Sequence, residues 1–377
     1  MSQAPDFGDL RSLLNTSPTP QAWEQLCSWL EEWTSEAQRQ RIDAYIASYL
    51  KQWPDEARRI PKRWLKHLAS GDAELPWLSV CRTVYLRGFR GREMRQYNKN
   101  LSDTWLRILR HPGMRNIRVV DLGSNGLGVE DVHALVHSSG IEGLEVLELQ
   151  RNPLGDDLAL KLQPPHPFEP TLHTLGLRHT ELSEETLRKL PLHRWTALKH
   201  LDLYGNDLTD PSLRHVQEYV ALESLNVGKN KRLVWSHTLD IPTLKHLCVE
   251  RTSLDERALA SILNDHQLQT LHAWGCGILN PRLAFSPNAL SQCTSLNLGM
   301  NALGSALIGQ LAQLSMPELR ALNLHGASIS DDDALALLKA PWFSTLKELH
   351  LGSNPLSSTT RRAIKQRASE CDVRLSL

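Results

Sequence analysis

The sequence predicts an α/β solenoid, a horseshoe with parallel strands on its concave face and helices on its convex face, preceded by an all-helical unit. Three observations carry this. The phrase Leu-x-x-Leu-x-Leu-x-x-Asn-x-Leu recurs through the last two-thirds of the chain, as at Leu144–Leu154, Leu198–Leu208 and Leu346–Leu356. Its copies follow one another at steps of 22 to 28 residues. Residues 1–78 hold six of the eleven tryptophans and no copy of the phrase.

Aligned on the asparagine slot, the ten copies centre on Asn125, Asn152, Thr180, Asn206, Asn230, Thr252, Cys276, Asn301, Ala327 and Asn354. The Leu-x-Leu core alternates apolar and polar, which predicts a short strand with its leucines inward and its x residues outward. The asparagine stands where the chain turns off the strand. Its buried amide can satisfy backbone groups of neighbouring turns. Thr180 and Thr252 can do part of this, and Ala327 cannot, so that copy is expected to be locally weaker or to use water.

Helix signals follow the slot. Asp210-Pro211 opens a helix through Val216 as N-cap and first-turn proline. Ser330 with Asp331, Asp332 and Asp333 opens another through Leu338, and Asp255-Glu256 opens a third through Leu263. The copy after Asn230 (Lys231 to Pro242) lacks helical periodicity, and the one after Cys276 carries Pro281 and Pro287. The proline-rich run from Pro164 to Pro170 predicts a rigid bulge.

On these motifs residues 114–377 resemble leucine-rich-repeat proteins of the helix-containing intracellular kind typified by ribonuclease inhibitor. The cysteine-containing subclass is also similar, although only Cys276 puts a cysteine in the asparagine slot. The resemblance implies a fold and a binding role, not a partner.

Residues 79–377 are expected to form the solenoid: a degenerate first repeat over 79–113, ten repeats over 114–370 and a closing strand over 371–377. In the first, Cys81–Leu86 matches the start of the phrase with Phe89 in the asparagine slot, and Trp105 to Leu109 supplies the helix. Ahead of it, Thr19-Pro20 starts an amphipathic helix with Trp23, Leu26, Trp29, Leu30 and Trp33 on one face. Ile42, Tyr45, Ile46, Tyr49 and Leu50 mark a second helix, and Pro61 begins a third, with Trp64, Leu65 and Leu68, stopped by Gly71. This unit, residues 1–78, is a cap over the first repeat or a separate docking module. Trp29-Leu30-Glu31-Glu32 is similar to the core of a short helical segment found ahead of leucine-rich repeats in some bacterial proteins, which implies a bacterial origin.

The 42 Lys and Arg balance the 42 Asp and Glu, which argues against a dedicated binder of nucleic acid or anionic membrane. The exception is the window 82–118, with ten basic and two acidic residues. Arg87, Arg90, Arg92 and Arg95 head this secondary patch, which is either solvated surface or a site for an acidic partner or nucleic acid. Neither a signal peptide nor an apolar run of membrane-spanning length is evident. The six cysteines are scattered, with no Cys-x-x-Cys pair, as expected of a reduced, cytoplasmic chain without a disulfide framework or zinc site.

No motif of phosphate-binding loops, zinc proteases, serine hydrolases or kinases is present, and no cofactor, metal or catalytic residue is expected. The outward rows hold the candidates. His200, Asp202, Tyr204, His246, Glu250, His272 and Trp274 gather on one stretch of the concave face, with Cys248 among them. Cys248 beside His272 is the one arrangement of a nucleophile and a base, and His246, Cys248 and His272 the one arrangement of zinc ligands. An open face excludes water poorly, so a partner-binding patch is the stronger reading. Trp274 and Tyr204 are its anchors, because outward aromatics on a sheet are enriched at binding hot spots. The sequence therefore predicts a non-catalytic interaction or adaptor protein with a protein partner. The alternatives are a regulator of a small GTPase and an acidic-partner or nucleic-acid binder acting through 82–118.

Overall fold

The computed structural model describes residues 7–33, 36–71, 75–87, 107–138, 141–163, 165, 168–190, 194–217, 221–237, 240–265 and 267–377. They fall into two compact units, Met1–Gly176 with Arg194–Ala197, and Leu177–His193 with Leu198–Leu377.

The first unit opens with helices α1 (Phe7–Leu14), α2 (Pro20–Glu31), α3 (Glu36–Leu50) and α4 (Lys62–Ser70). α2 starts as its sequence requires: the Thr19 hydroxyl accepts the Ala22 N–H at 3.1 Å and Pro20 occupies the first turn. Its apolar stripe, Trp23, Leu26, Trp29 and Leu30, is buried, as are Ile42, Ile46 and Leu50 of α3. α4 stops at Gly71, whose φ of 91° closes the helix in the left-handed conformation. α1 is an element that the sequence reading missed. Among its described side chains only Leu10 and Leu14 are buried, and one i,i+4 pair is too short a pattern to declare a helix.

Strands β1 (Thr83–Tyr85), β2 (Val119–Asp121), β3 (Val146–Glu148) and β4 (Thr174–Gly176) follow, parallel and in chain order, with Val84, Val120, Leu147 and Leu175 in register. β1 is the degenerate first strand; Phe89, Trp105 and Leu106 lie outside the described residues. Its edge away from β2 is occupied. Ile60 N–H donates to Thr83 O at 2.9 Å, and Arg82 and Thr83 N–H donate to Arg58 O at 2.9 and 3.1 Å. The buried Arg58 guanidinium holds Val80 O at 2.9 and 2.6 Å, and Trp23 Nε1 donates to Arg59 O at 2.6 Å. Segment 58–60 thus satisfies groups that an open edge would leave unpaired. Helices α5 (Val129–Val136) and α6 (Leu158–Lys161) complete this unit. Of the expected proline-rich bulge, Pro164, His166 and Pro167 lie outside the described residues.

The second unit contains, in chain order, α7 (Glu184–Lys189), β5 (His200–Asp202), α8 (Asp210–Gln217), β6 (Ser224–Asn226), β7 (Val234–Trp235), β8 (His246–Cys248), β9 (Ser253–Leu254), α9 (Glu256–Asn264), β10 (Thr270–His272), β11 (Ser295–Asn297), α10 (Gly304–Gln313), β12 (Ala321–Asn323), α11 (Asp331–Leu338), β13 (Glu348–His350), α12 (Ser358–Glu370) and β14 (Arg374–Ser376). Eight of the strands, all but β7 and β9, form one parallel ladder. A leucine stands at the middle of each, and Leu201, Leu225, Leu247, Leu271, Leu296, Leu322 and Leu349 are at most 2% exposed. Burying such a side chain is worth roughly 1.5–3 kcal/mol, so a one-residue slip, which would turn the whole row outward, is excluded.

The helix starts match the sequence at Asp255, whose carboxylate accepts Ala258 N–H at 2.8 Å, and at Ser330, which makes a reciprocal capping box with Asp333. α8 differs. Asp210 is its first helical residue, and its carboxylate instead takes Ser236 N–H at 3.1 Å and His237 Nδ1 at 3.0 Å. Among the described residues between Asn230 and β8 there is no helix. β7 pairs there with β9, and the buried Trp235 supplies the apolar cover. After Cys276 the chain passes Pro281 without a helix and turns at Pro287, with Leu279 bridged to Ala302. β14 pairs in parallel with β13. No described helix is long and apolar enough to cross a membrane.

Candidate functional site

The site is built on what happens immediately after each strand. In all ten copies the residue before the asparagine slot has left-handed backbone: Ser124, Arg151, His179, Gly205, Lys229, Arg251, Gly275, Met300, Gly326 and Ser353, with φ from 52° to 70°. Only three of them are glycine, so seven copies hold a side chain in a conformation that ordinarily disfavours one. The reversal turns the next residue inward. There Asn206 Oδ1 accepts Thr180 N–H and Leu182 N–H at 3.0 and 3.1 Å, while its Nδ2 donates to Leu177 O and Leu203 O at 2.8 and 2.9 Å. Asn152 repeats the pattern in the first unit, from Asn125 N–H and Leu127 N–H to Leu122 O and Leu149 O. One amide in each such copy stitches two turns together, in register with a parallel ladder. The chain has a leucine-rich-repeat fold.

The two threonines in the slot behave as the sequence predicts. Thr180 and Thr252 satisfy one carbonyl each, Leu177 O and Val249 O, both at 2.7 Å. At Ala327 the next copy does part of the work, because Asn354 Nδ2 donates to Leu324 O at 2.8 Å. What remains is a long contact, Leu303 N–H to Ala327 O at 3.4 Å.

Outward, this leucine-rich-repeat face concentrates its aromatic and charged groups between β5 and β10. The Tyr204 ring carries the Arg178 guanidinium at 4.5 Å, and Arg178 Nε lies 3.5 Å from Asp202 Oδ2. The Tyr204 hydroxyl bonds to Glu250; burial first, and then this carboxylate, raise its pKa. The Trp274 ring carries the Arg251 guanidinium at 4.8 Å. Glycines make room for both rings. A Cβ at Gly228 would meet Tyr204 Cδ2 and Glu250 Cγ at 2.9 Å each, and one at Gly299 would meet Trp274 Cδ1 at 2.9 Å. Gly228→Ala is therefore expected to leave the melting temperature within a few degrees while displacing the Tyr204 ring, weakening partner binding several-fold. An unchanged affinity would show that the ring's placement is immaterial.

The structure divides the seven candidates. Tyr204 and Glu250 meet, and Trp274 is half-buried beneath a cation. Asp202 is largely structural: its Oδ1 accepts Tyr204 N–H at 3.1 Å, and burial raises its pKa. Asn226, Asn297 and Asn323 make the same turn in their own copies. His246 Nδ1 lies 3.0 Å from Thr270 Oγ1, and burial lowers its pKa. His200 and His246 both border Ser224 in register, so they stand two strand spacings, about 10 Å, apart. His272 is exposed. The partner missed by the sequence reading is Arg251; Arg178 shares the outward row of Tyr204, Glu250 and Trp274 without standing among the candidates. Arg251 precedes a threonine in the asparagine slot, and its left-handed conformation has no signal in the residue type.

Cys248 and His272 are register neighbours, but burial pushes the Cys248 thiol up to about 11. A nucleophilic cysteine needs the opposite shift. In a Cys371→Ser background, alkylation of Cys248 by iodoacetamide is expected to be negligible at pH 7 and to climb steadily with pH towards 11. A reactive fraction titrating below pH 8 would overturn this. Among the described residues no three His, Cys, Asp or Glu side chains are grouped to hold a metal ion, so His246, Cys248 and His272 do not converge as ligands.

Of the secondary basic patch, Arg87 is exposed, while Arg90, Arg92 and Arg95 lie outside the described residues. Other cations of that window are turned to backbone carbonyls: Arg82 to Ser79 O at 3.0 Å, Arg107 to Ala69 O at 2.9 Å and Arg118 to Arg115 O at 3.2 Å.

No protein-family model matches the chain. The mouse Tonsoku-like protein is 28% identical over 270 residues, a match covering 68% of this chain and 19% of that protein. The chain thus spans about a fifth of that relative's length. Among solved structures, an internalin of Listeria monocytogenes is similar with a TM-score of 0.44 at 17% identity, over 70% of this chain and 81% of that one. The mouse RP105/MD-1 complex gives a TM-score of 0.48 at 14% identity, over 78% and 59%. The leucine-rich-repeat ectodomain of the Arabidopsis receptor kinase HAESA, in complex with a peptide hormone, gives 0.43 at 23% identity, over 63% and 38%.

Proposed function

We propose that this chain is a non-catalytic interaction protein that holds a protein partner on the outward face of β5, β6, β8 and β10. The observation that carries this reading is the pair of aromatic anchors, Tyr204 and Trp274, each held under an arginine and over a glycine. Aromatic and arginine side chains that are already ordered lose little freedom on binding, which is what gives hot spots their strength. The half-buried Cys248 at the centre of the patch, its thiol pushed up to about 11 by burial, suits a surface that binds and does not react.

The helices of the first unit act, in this reading, as a cap, since segment 58–60 occupies the β1 edge. All six cysteines are free, which suits a reducing compartment. The test is affinity capture from a lysate of the source organism, with the intact wild-type chain and with its Tyr204→Ala variant. A partner retained by the first and lost by the second is expected. A partner held equally by both would move the binding surface elsewhere.

A further inference from the structure

The face between β5 and β10 has an imbalance that concerns which charges are already satisfied. Its carboxylates are occupied. Asp202 takes Tyr204 N–H at 3.1 Å, the Asn226 side chain and Arg178. Glu250 takes the Tyr204 hydroxyl. At the borders Glu223 holds Lys199 and Lys245 at 2.9 and 2.8 Å, and Asp207 holds Arg232 at 2.8 Å; Glu181, past the turn, is the exception. The cations are less engaged. Among the described carboxylates Arg178 pairs with Asp202, at a closest approach of 3.5 Å. Arg251 lies exposed on the Trp274 ring, and no ion pair joins it or Lys229 to a described carboxylate. Stacking on a ring occupies the face of a guanidinium and leaves its in-plane N–H donors for a fork-like contact with a carboxylate.

The spacing adds a constraint. Arg178 and Arg251 belong to copies three steps apart, those of Thr180 and Thr252. At about 4.8 Å per parallel strand, their rows stand about 14 Å apart. An extended peptide covers that distance in four residues at about 3.4 Å each, and side chains four apart project to the same side.

We infer that the segment recognised here is an extended acidic peptide, with two carboxylates four residues apart taken by Arg178 and Arg251. It crosses the strands, its intervening residues lie against Tyr204 and Trp274, and Lys229 stands between the two forks. This rests on the face between β5 and β10 being the binding surface.

The experiment measures fluorescence polarisation of labelled twelve-residue peptides with the intact chain. One peptide carries Asp at positions 4 and 8, a second Asp at 4 and 6, and a third Lys at 4 and 8, in a common Ser, Gly and Leu background. The first is expected to bind at least fivefold more tightly than the second, and the third not at all. Arg251→Gln and Arg178→Gln, both at exposed positions, should each reduce binding of the first at least fivefold, and raising salt from 50 to 300 mM should weaken it. Equal binding of the acidic and basic peptides, lost on Trp274→Ala, would overturn the acidic assignment while leaving the binding face standing. Absence of binding by all three, or binding indifferent to Trp274→Ala, would remove the face itself. Equal affinity of the first two peptides would refute the four-residue spacing.

Discussion

Trp274→Ala is expected to leave the fold intact and to weaken partner capture more than tenfold. The indole stands at an outward position of the ladder, half-buried, with Arg251 on its ring and Gly299 beside it. Its removal opens no cavity in the leucine core, because the inward neighbours Ala273 and Leu271 stay where they are, both fully buried. It does remove a rigid apolar surface and release the Arg251 guanidinium into solvent. A tenfold loss is about 1.4 kcal/mol, and truncating a hot-spot aromatic costs about 2 kcal/mol or more, so the expectation is a lower bound. Thermal melting and partner capture, measured side by side, check it. A variant that melts like wild type and captures as well would take Trp274 out of the binding surface.

The largest effect on stability is expected from Asn301→Ala. Asn301 Oδ1 accepts Cys276 N–H at 2.8 Å and Ile278 N–H at 3.3 Å, while its Nδ2 donates to Ala273 O and Leu298 O at 2.8 and 2.9 Å. The side chain is 3% exposed, so water does not replace it cheaply. A buried group left unsatisfied costs about 1–3 kcal/mol. With two N–H donors stranded at once, the loss should reach about 3 kcal/mol, read as a lowered urea midpoint. Ala327 shows that one copy tolerates alanine, but there Asn354 already serves Leu324 O and Ile329 N–H. In the copy before Asn301 the slot holds Cys276, whose Sγ reaches Val249 O and adds no second acceptor for the turn. A loss below 1 kcal/mol would show that backbone rearrangement compensates for the amide.

Much of the fold was legible because its determinants are local and repeated. Leu-x-Leu marks each strand, Asp255 and Ser330 mark helix starts, and Pro281 with Pro287 marks a copy without a helix. The shift of α8 onto Asp210 was not legible, because the carboxylate's alternative partners, Ser236 and His237, lie a full repeat away in sequence. Nor was the edge contact of β1, made by backbone groups of Arg58 and Ile60, which leave no trace in residue type. The candidate site was legible as a set of outward positions, Tyr204, Glu250 and Trp274 among them. Of its two cations, Arg178 shares the outward row of Tyr204, but Arg251 was not legible, since it occupies a slot whose direction is set by a left-handed φ of 55°.

The sequence by itself determined the repeat, its strand register and the inward direction of its leucines and asparagines, because burial acts on each short copy in the same way. Tertiary structure alone decided which outward side chains touch. Those contacts run between copies, across the strands, and depend on small residues such as Gly228 and Gly299 leaving room for a neighbour's ring. Periodicity places a residue on a face; only the packed ladder sets a guanidinium over an indole.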